Sequence, residues 1–473
     1  MSDAASSLPL AVDLDGTLSR ANSIAEQLAS VVRHRPWSVP SLLAALLRGR
    51  PAFKRRLQAL SPIERIDLPY HPSFLAYCQA QHAAGREVIL VTAADQATAT
   101  HVASLFPFLR EGIGSGGNNN LSGRAKAEYL AKRYGEKGFV YAGNEARDLK
   151  VWARAGGAVV VNPSMGLARA AAKLTTVERV FEDRPPRLRS VVRQLRPHQW
   201  LKNILIFVPV FTAHRLGDQV ALVHALIAFA AFCAAASGAY VLNDLIDLPS
   251  DRAHPTKRSR PFASGDLAIG LGAMLFPALL LCAAILSLWL PVPARWLLAS
   301  YVAVTLLYTF VLKKIALVDV LVLAGLYALR LVMGHLATGI AWSPWLTAFA
   351  LCMFLSLALL KRFCELFERE DGRAPGRGYH VGHRSAVGAV GIAAGCVAAG
   401  VMALYAGSGH VQTLYAQPQY LYALCPVFLA WILRMWNLGY RGKMHEDPVL
   451  FTLHDLASVG VLALTVLIVL LAR

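Results

Sequence analysis

Apolar and polar positions alternate differently along the two parts of this chain. Up to about residue 190, short apolar runs alternate with scattered charge, the pattern of an α/β fold. From about residue 199 onward, long apolar stretches are separated by short polar ones. Segments of membrane-spanning length fall at 200–212, 219–242, 268–290, 295–311, 317–337, 343–360, 385–405, 420–435 and 452–471. They predict an all-α bundle of about nine transmembrane helices, the first of them short for a full span. The change of pattern predicts an N-terminal domain over 1–185, a linker over 186–198 and a membrane domain over 199–473. The opening "MSDAASSLPLAVDLDGTL" has no basic start and no long apolar core, so no cleavable signal peptide is expected.

Composition agrees with the pattern. The 473 residues are 56% hydrophobic, and the formal net charge is +18. The cations sort by loop. One set holds Arg252, Lys257, Arg258, Arg260, Lys313, Lys314, Lys361, Arg362, Arg369, Arg373, Arg377, Arg384, Arg441 and Lys443; the opposite set holds Arg215 and Arg295. The positive-inside rule places the rich set, and the N-terminal domain with it, in the cytoplasm of a bacterial-type inner membrane. Cations that line membrane loops point to anionic lipid and phosphorylated substrates rather than nucleic acid. Seven cysteines are spread singly with no metal-ligand spacing, and read as small core hydrophobes.

The stretch "NDLIDLPSD" (243–251) ends one apolar segment with Asn243, Asp244, Asp247 and Asp251. A continuous helix would set the three aspartates on one face. Pro249 favours a break, which would bring Asp251 in from a turn. Like charges this close repel unless a cation sits among them, and hard carboxylate oxygens suit Mg²⁺ bridging to phosphate. A solvated loop with helix-capping residues is the bland alternative; acids beside a membrane more often mark function. This stretch, with "HPTKRSRPFASG" after it, resembles the Asn-Asp-x-x-Asp-x-x-x-Asp motif of the UbiA superfamily of intramembrane prenyltransferases. The resemblance runs from about residue 196 to the C-terminus. It implies that Asn243, Asp244, Asp247 and Asp251 bind a diphosphate through Mg²⁺, with Lys257, Arg258 and Arg260 neutralising phosphate oxygens.

Aromatic prenyltransferases of this superfamily carry a second Asp-rich motif. Here "YTFVLKKIALVDVLVLAGLYALRLVMGH" (308–335) offers Asp319 alone, with Tyr308, Lys313, Lys314 and Arg330. Asp319 and Arg330 are eleven residues, about three turns, apart and are expected on one face. An arginine so deep in an apolar segment is expected to face an internal cavity. The stretches "LRPHQWLKNILIFVP" (195–209), "KRFCEL" (361–366) and "RGKMHEDPVLF" (441–451) are similar to the polyprenyl-phosphate phosphoribosyltransferases of the superfamily. That resemblance implies transfer of 5-phosphoribosyl from phosphoribosyl pyrophosphate to a polyprenyl phosphate, with release of pyrophosphate. A cationic pocket of Lys202, Lys313, Arg330, Lys361 and Arg362 would hold the attacking lipid phosphate.

In the N-terminal part, "PLAVDLDGTL" sets Asp13 and Asp15 behind an apolar strand. It resembles the Asp-x-Asp-Gly-Thr signature of haloacid-dehalogenase-fold phosphatases, a Rossmann-type parallel sheet with a helical cap. Three further stretches match in order: "EVILVTAADQ" (87–96) with Thr92, "NLSGRAKAEYL" (120–130) with Lys126, and "GFVYAGNEARDLKVW" (138–152) with Asn144 and Asp148. Residues 23–60 read as the cap. The resemblance implies Asp13 as nucleophile and Asp15 as acid and base. Thr92 and Lys126 would hold the phosphoryl group, and Asp13, Asn144 and Asp148 would position Mg²⁺. Asn144 departs from the aspartate common in the family and removes one negative charge. The expected role is dephosphorylation of the phosphoribosyl lipid made by the membrane domain. Two other functions compete: prenyl transfer from a prenyl diphosphate to an aromatic or other small acceptor, and a non-enzymatic lipid-phosphate transporter or scaffold.

Overall fold

The structure is a computed structural model; it describes residues 8–116, 120–367, 378–444 and 447–473. The chain forms two compact units. The first gathers Met1–Leu195 with Val241–Leu275; the second gathers Arg196–Tyr240 with Phe276–Arg473.

Six strands build the first unit: β1 (Leu10–Val12), β2 (Val88–Asp95), β3 (Gly112–Ser115), β4 (Val140–Gly143), β5 (Gly157–Val161) and β6 (Thr176–Phe181). All pair in parallel in the order β3-β2-β1-β4-β5-β6. This is the parallel α/β sheet that the sequence pattern predicts. Parallel sheets are covered on both faces, so their strands read as near-continuous apolar runs. The period of two then divides each strand between two cores. Leu10, Val12, Val88 and Leu90 pack with Phe74 on one face, while Ala11, Ile89, Val91 and Tyr141 pack with Trp152 on the other. The strand order reverses between β1 and β4, which opens the crevice where such sheets bind ligands, at their carboxyl ends.

Residues 23–60 form three helices, Ser23–His34, Val39–Leu47 and Arg50–Leu60. Asn22 caps the first by accepting from the Ala25 amide. Val31, Leu42 and Leu57 give the three a small core of their own.

Among the described residues, six helices are long and apolar enough to cross a membrane: Gln219–Ile246, Ile269–Ser287, Val318–Thr338, Pro344–Phe367, Val381–Ala406 and Pro418–Tyr440. The other three predicted segments are helical but fall outside this set. The first is a 3-10 helix, Pro197–Phe207, followed by one short turn, Val208–Thr212. The second is Val292–Phe310. The third is divided at Asp455, which caps Leu456–Ala472 after Pro448–His454. The second unit packs through small residues. A Cβ on Gly391 would sit 2.1 Å from the Trp436 ring, and one on Gly395 would sit 2.7 Å from Ile432. Arg369, Arg373 and Arg377 of the predicted cytoplasmic charge lie outside the described residues.

Candidate active sites

The carboxyl ends of β1 and β4 bring the N-terminal motifs together. Asp13 accepts from the Leu14 amide at 2.9 Å and pairs with Lys126 Nζ at 2.8 Å. Lys126 Nζ donates to Tyr141 OH at 2.8 Å, and Tyr141 OH donates to Asp148 Oδ1 at 3.1 Å. Asp148 Oδ2 accepts from the Asn144 and Glu145 amides, each at 2.9 Å. Both oxygens of Asp148 are therefore engaged in shaping the β4 turn, and burial raises its carboxyl to about 6. Asn144 Oδ1 accepts from Thr17 Oγ1 at 3.2 Å. Gly16 lies beneath that amide with φ +79°, and a Cβ there would come within 2.2 Å of Asn144 Nδ2. Thr92 is fully buried, and its Oγ1 accepts from the Ala94 amide at 3.1 Å.

Asp15 faces the helical residues. Its Oδ1 accepts from the Ser23 amide at 2.7 Å, at the start of Ser23–His34. Burial, opposed by that bond and reinforced by Asp13, raises its carboxyl to about 6. Lys54, from Arg50–Leu60, also reaches the site: its Nζ donates to the Ala93 carbonyl and to Asn120 Oδ1, the latter at 2.6 Å. Burial lowers the Lys54 pKa. Lys54 belongs to no motif, and its sequence neighbourhood is plainly basic, so only tertiary structure reveals it.

The acidic stretch lies in the same unit. The helix Gln219–Ile246 ends before Asp247, and Asp251 sits on a separate short helix, Leu248–Ala253. The break falls where Pro249 permits a new helix start but no continuation. Asp244 and Asp251 are 2% and 3% exposed. Arg260 Nη1 bridges them, at 3.1 Å from Asp244 Oδ1 and 2.7 Å from Asp251 Oδ2. Gln194 Nε2 donates to Asp244 Oδ2 at 2.8 Å. Asn243 and Asp247 are half-buried, whereas Lys257 and Arg258 are exposed on a separate turn. Among the described residues, no three His, Cys, Asp or Glu side chains converge to hold a metal. Mg²⁺ needs fewer, because it is commonly bound by one or two carboxylates with waters and substrate phosphates. Asp244 and Asp251, buried and already sharing one cation, are a donor pair of that kind. In the β1–β4 crevice, Asp13 and the Asn144 amide oxygen supply the corresponding hard donors.

In the second unit the predicted cations separate into four places. Lys202 and Lys361 converge on Asp447 Oδ2, at 3.2 and 2.8 Å. Asp447 also caps Pro448–His454 by accepting from the Val449 amide. It was missed at the sequence level, although its acidity within "HEDPVLF" offered a signal. Arg362 donates through Nε to Asp319 at 2.6 Å and lies 3.5 Å from Tyr308 OH. Asp319 is fully buried and also accepts from Tyr379 OH at 2.6 Å. Arg330 is held elsewhere, donating to Asn203 Oδ1 at 2.8 Å and Tyr301 OH at 3.3 Å. Lys313 lies half-exposed on the turn Leu312–Lys314.

The model for the UbiA prenyltransferase family matches residues 204–458, over half of the chain. The chain belongs to the UbiA prenyltransferase family. Family membership and the apolar helices make it an integral membrane protein. This UbiA chain is 36% identical over 459 residues to the uncharacterized protein y4nM of Sinorhizobium fredii, covering 95% of this chain and 88% of the other. It is 36% identical to the nodulation protein NoeC of Azorhizobium caulinodans, covering 56% of this chain and 87% of NoeC. It is 34% identical over 190 residues to the decaprenyl-phosphate phosphoribosyltransferase of Mycolicibacterium smegmatis, covering 38% of this chain and 59% of that enzyme. The chain thus spans somewhat less than two thirds of that phosphoribosyltransferase.

Proposed function

We propose that this UbiA protein transfers 5-phosphoribosyl from phosphoribosyl pyrophosphate to a polyprenyl phosphate and then removes the 5-phosphate in its α/β domain. The observation that carries the first step is the state of Asp319. It stands where prenyl-diphosphate-using enzymes of the superfamily have a second acidic cluster, and here Arg362 and Tyr379 occupy it. The acidic stretch at 244–251 then serves one pyrophosphate. The similarity to decaprenyl-phosphate phosphoribosyltransferase supports the same assignment.

Asp244, Asp247 and Asp251 would hold Mg²⁺, which would supply charge neutralisation for the departing pyrophosphate. Arg260, which bridges Asp244 and Asp251, would bind phosphate oxygens, with Lys257 and Arg258 exposed nearby. The attacking lipid phosphate is already an anion and needs no strong base. Lys202 and Lys361, now sharing Asp447, form a centre that a phosphate can enter by replacing the carboxylate. Nine spans and a cytoplasmic face for the charged loops belong to the same reading.

In the second step, Asp13 attacks the phosphorus and the bond to the ribose oxygen breaks. Asp15 gives its proton to that oxygen. Water then attacks the aspartyl-phosphate, Asp15 takes the water proton, and inorganic phosphate leaves. Lys126 and Thr92 would orient the phosphoryl oxygens, and the motif resemblance to haloacid-dehalogenase-fold phosphatases supports these roles.

The test uses the full chain in membranes with Mg²⁺, polyprenyl phosphate and labelled phosphoribosyl pyrophosphate. Label should enter the organic phase, and Asp244→Asn with Asp251→Asn should lower the rate by about 10²-fold or more. Label transfer only from a labelled prenyl diphosphate to an aromatic acceptor would overturn the reading. Phosphate release from the purified phosphorylated lipid that survives Asp13→Asn would overturn the second step.

A further inference from the structure

The acidic stretch is held by the α/β unit through one helix. Ser23–His34 begins at the amide that binds Asp15, and it carries two groups that reach residues 241–275. Glu26 forms a two-pronged pair with Arg252, at 2.6 Å to Nη2 and 3.1 Å to Nη1, with both side chains almost fully buried. One turn or more further on, Arg33 Nη2 donates to the Leu245 carbonyl at 2.6 Å, beside Asp244. Arg252 sits next to Asp251 and completes its own set with the Asp67 carbonyl at 2.6 Å and the Ala263 carbonyl at 3.1 Å. Gln194, 1% exposed, contacts the carboxylate of Asp244 directly. At the far end of the stretch, Arg20 pairs with Asp266 at 3.1 Å. Gly265, at φ +77°, leaves room for Arg20: a Cβ there would come within 2.7 Å of the Arg20 Cβ.

From this arrangement we infer that Glu26, Arg33 and Gln194 of the α/β fold are positioning residues for the transferase. They set the spacing of Asp244 and Asp251, so the transfer step depends on the α/β fold as a scaffold, independently of any phosphatase chemistry. The inference rests on the proposed role of the acidic stretch. The physical argument is the cost of alternatives. Asp244 and Asp251 repel each other, and a loop that had to be ordered at each turnover would sacrifice binding energy. A buried bidentate Arg–Glu pair fixes both position and orientation, and it cannot be loosened by one partner alone without leaving a buried charge unpaired.

The same helix ties the two chemistries together geometrically. Asp15 holds its first amide and Glu26 lies within its first turn, which places the phosphatase acid and the Arg252 anchor about one helical turn apart.

The test combines two readouts on the full-length protein in detergent. Amide hydrogen exchange over residues 247–268 should rise at least tenfold in Glu26→Ala relative to the unmodified protein. It should rise more modestly in Gln194→Ala, which removes one hydrogen bond and leaves the ion pair. The exposed-pair variant Glu128→Ala serves as a control and should leave exchange there unchanged. Transfer of label into lipid should fall at least tenfold in Glu26→Ala, with a higher half-saturating Mg²⁺ concentration. Hydrolysis of p-nitrophenyl phosphate should stay within about threefold of the original. The exchanged pair Glu26→Arg with Arg252→Glu should recover part of both effects. Unchanged exchange and unchanged transfer in both Glu26→Ala and Gln194→Ala would overturn the inference. Raised exchange in a protein whose unmodified form transfers no phosphoribosyl would sustain the scaffold and sink the substrate assignment instead.

Discussion

His71 shows how a single side chain records its surroundings. Its ring is fully buried, with Nδ1 3.2 Å from both Arg20 Nε and Asp183 Oδ1. Burial, opposed by Asp183, lowers its pKa from 6.5 to about 4. Between those values the unfolded chain binds the extra proton and the folded one does not, so stability rises with pH through this window and is lost as pH falls. Thermal unfolding followed from pH 7 to pH 5 should show a loss of about 2 kcal/mol that His71→Gln removes. Asp15 works in the opposite direction. Its raised pKa, about 6, keeps the carboxyl protonated below that pH, as the proposed acid role requires. Hydrolysis of an alkyl phosphomonoester should therefore decline above about pH 6, approaching tenfold per unit, while Asp15→Asn flattens the profile at a low rate. Gly16→Ala should destabilise the fold by about 1–3 kcal/mol and disturb Asn144, because it combines positive φ with a collision; a lowered unfolding midpoint checks it.

At the level of elements, what the sequence disclosed and what it concealed divide along physical lines. The strands β1, β2 and β4 were legible because each is a short apolar run followed at once by its polar motif, and both signals are local. The acidic stretch showed its helix break near Pro249 in the same way, although Asp251 lies on a short helix rather than a turn. Spans were harder, since 200–212 has the apolarity of a span but forms a 3-10 helix and a short turn. Asp447 and Lys54 were not legible as partners of the sites, because each gains its role from residues far away in the chain. Asp319 and Arg330 show the limit of periodicity: an expected common face does not give two residues the same neighbours. Helix packing in the second unit supplies its own prediction. Gly391, on Arg384–Ala406, faces the Trp436 ring with no space for a methyl group. Gly391→Ala should cost about 1–3 kcal/mol through forced displacement of the ring, measured by unfolding of the detergent-solubilised protein.

For the molecule as a whole, the first compact unit is discontinuous: residues 241–275 belong with the α/β fold although 45 residues of the other unit, 196–240, come between. Cleavage or truncation in the 186–198 region, where composition suggests a separable domain, therefore yields an α/β fragment without Arg252, Arg260 and Asp266. Glu26 and Arg20 then lose their buried partners. A fragment of residues 1–195 should unfold at a markedly lower temperature than the corresponding transition of the intact chain. During synthesis, the same discontinuity imposes a schedule. The ribosome must release a polypeptide through residue 275, with the helix Gln219–Ile246 already made, before the earlier portion can complete its ionic lattice. Completion of the α/β fold is consequently deferred until the hydrophobic helix before it has left the ribosome.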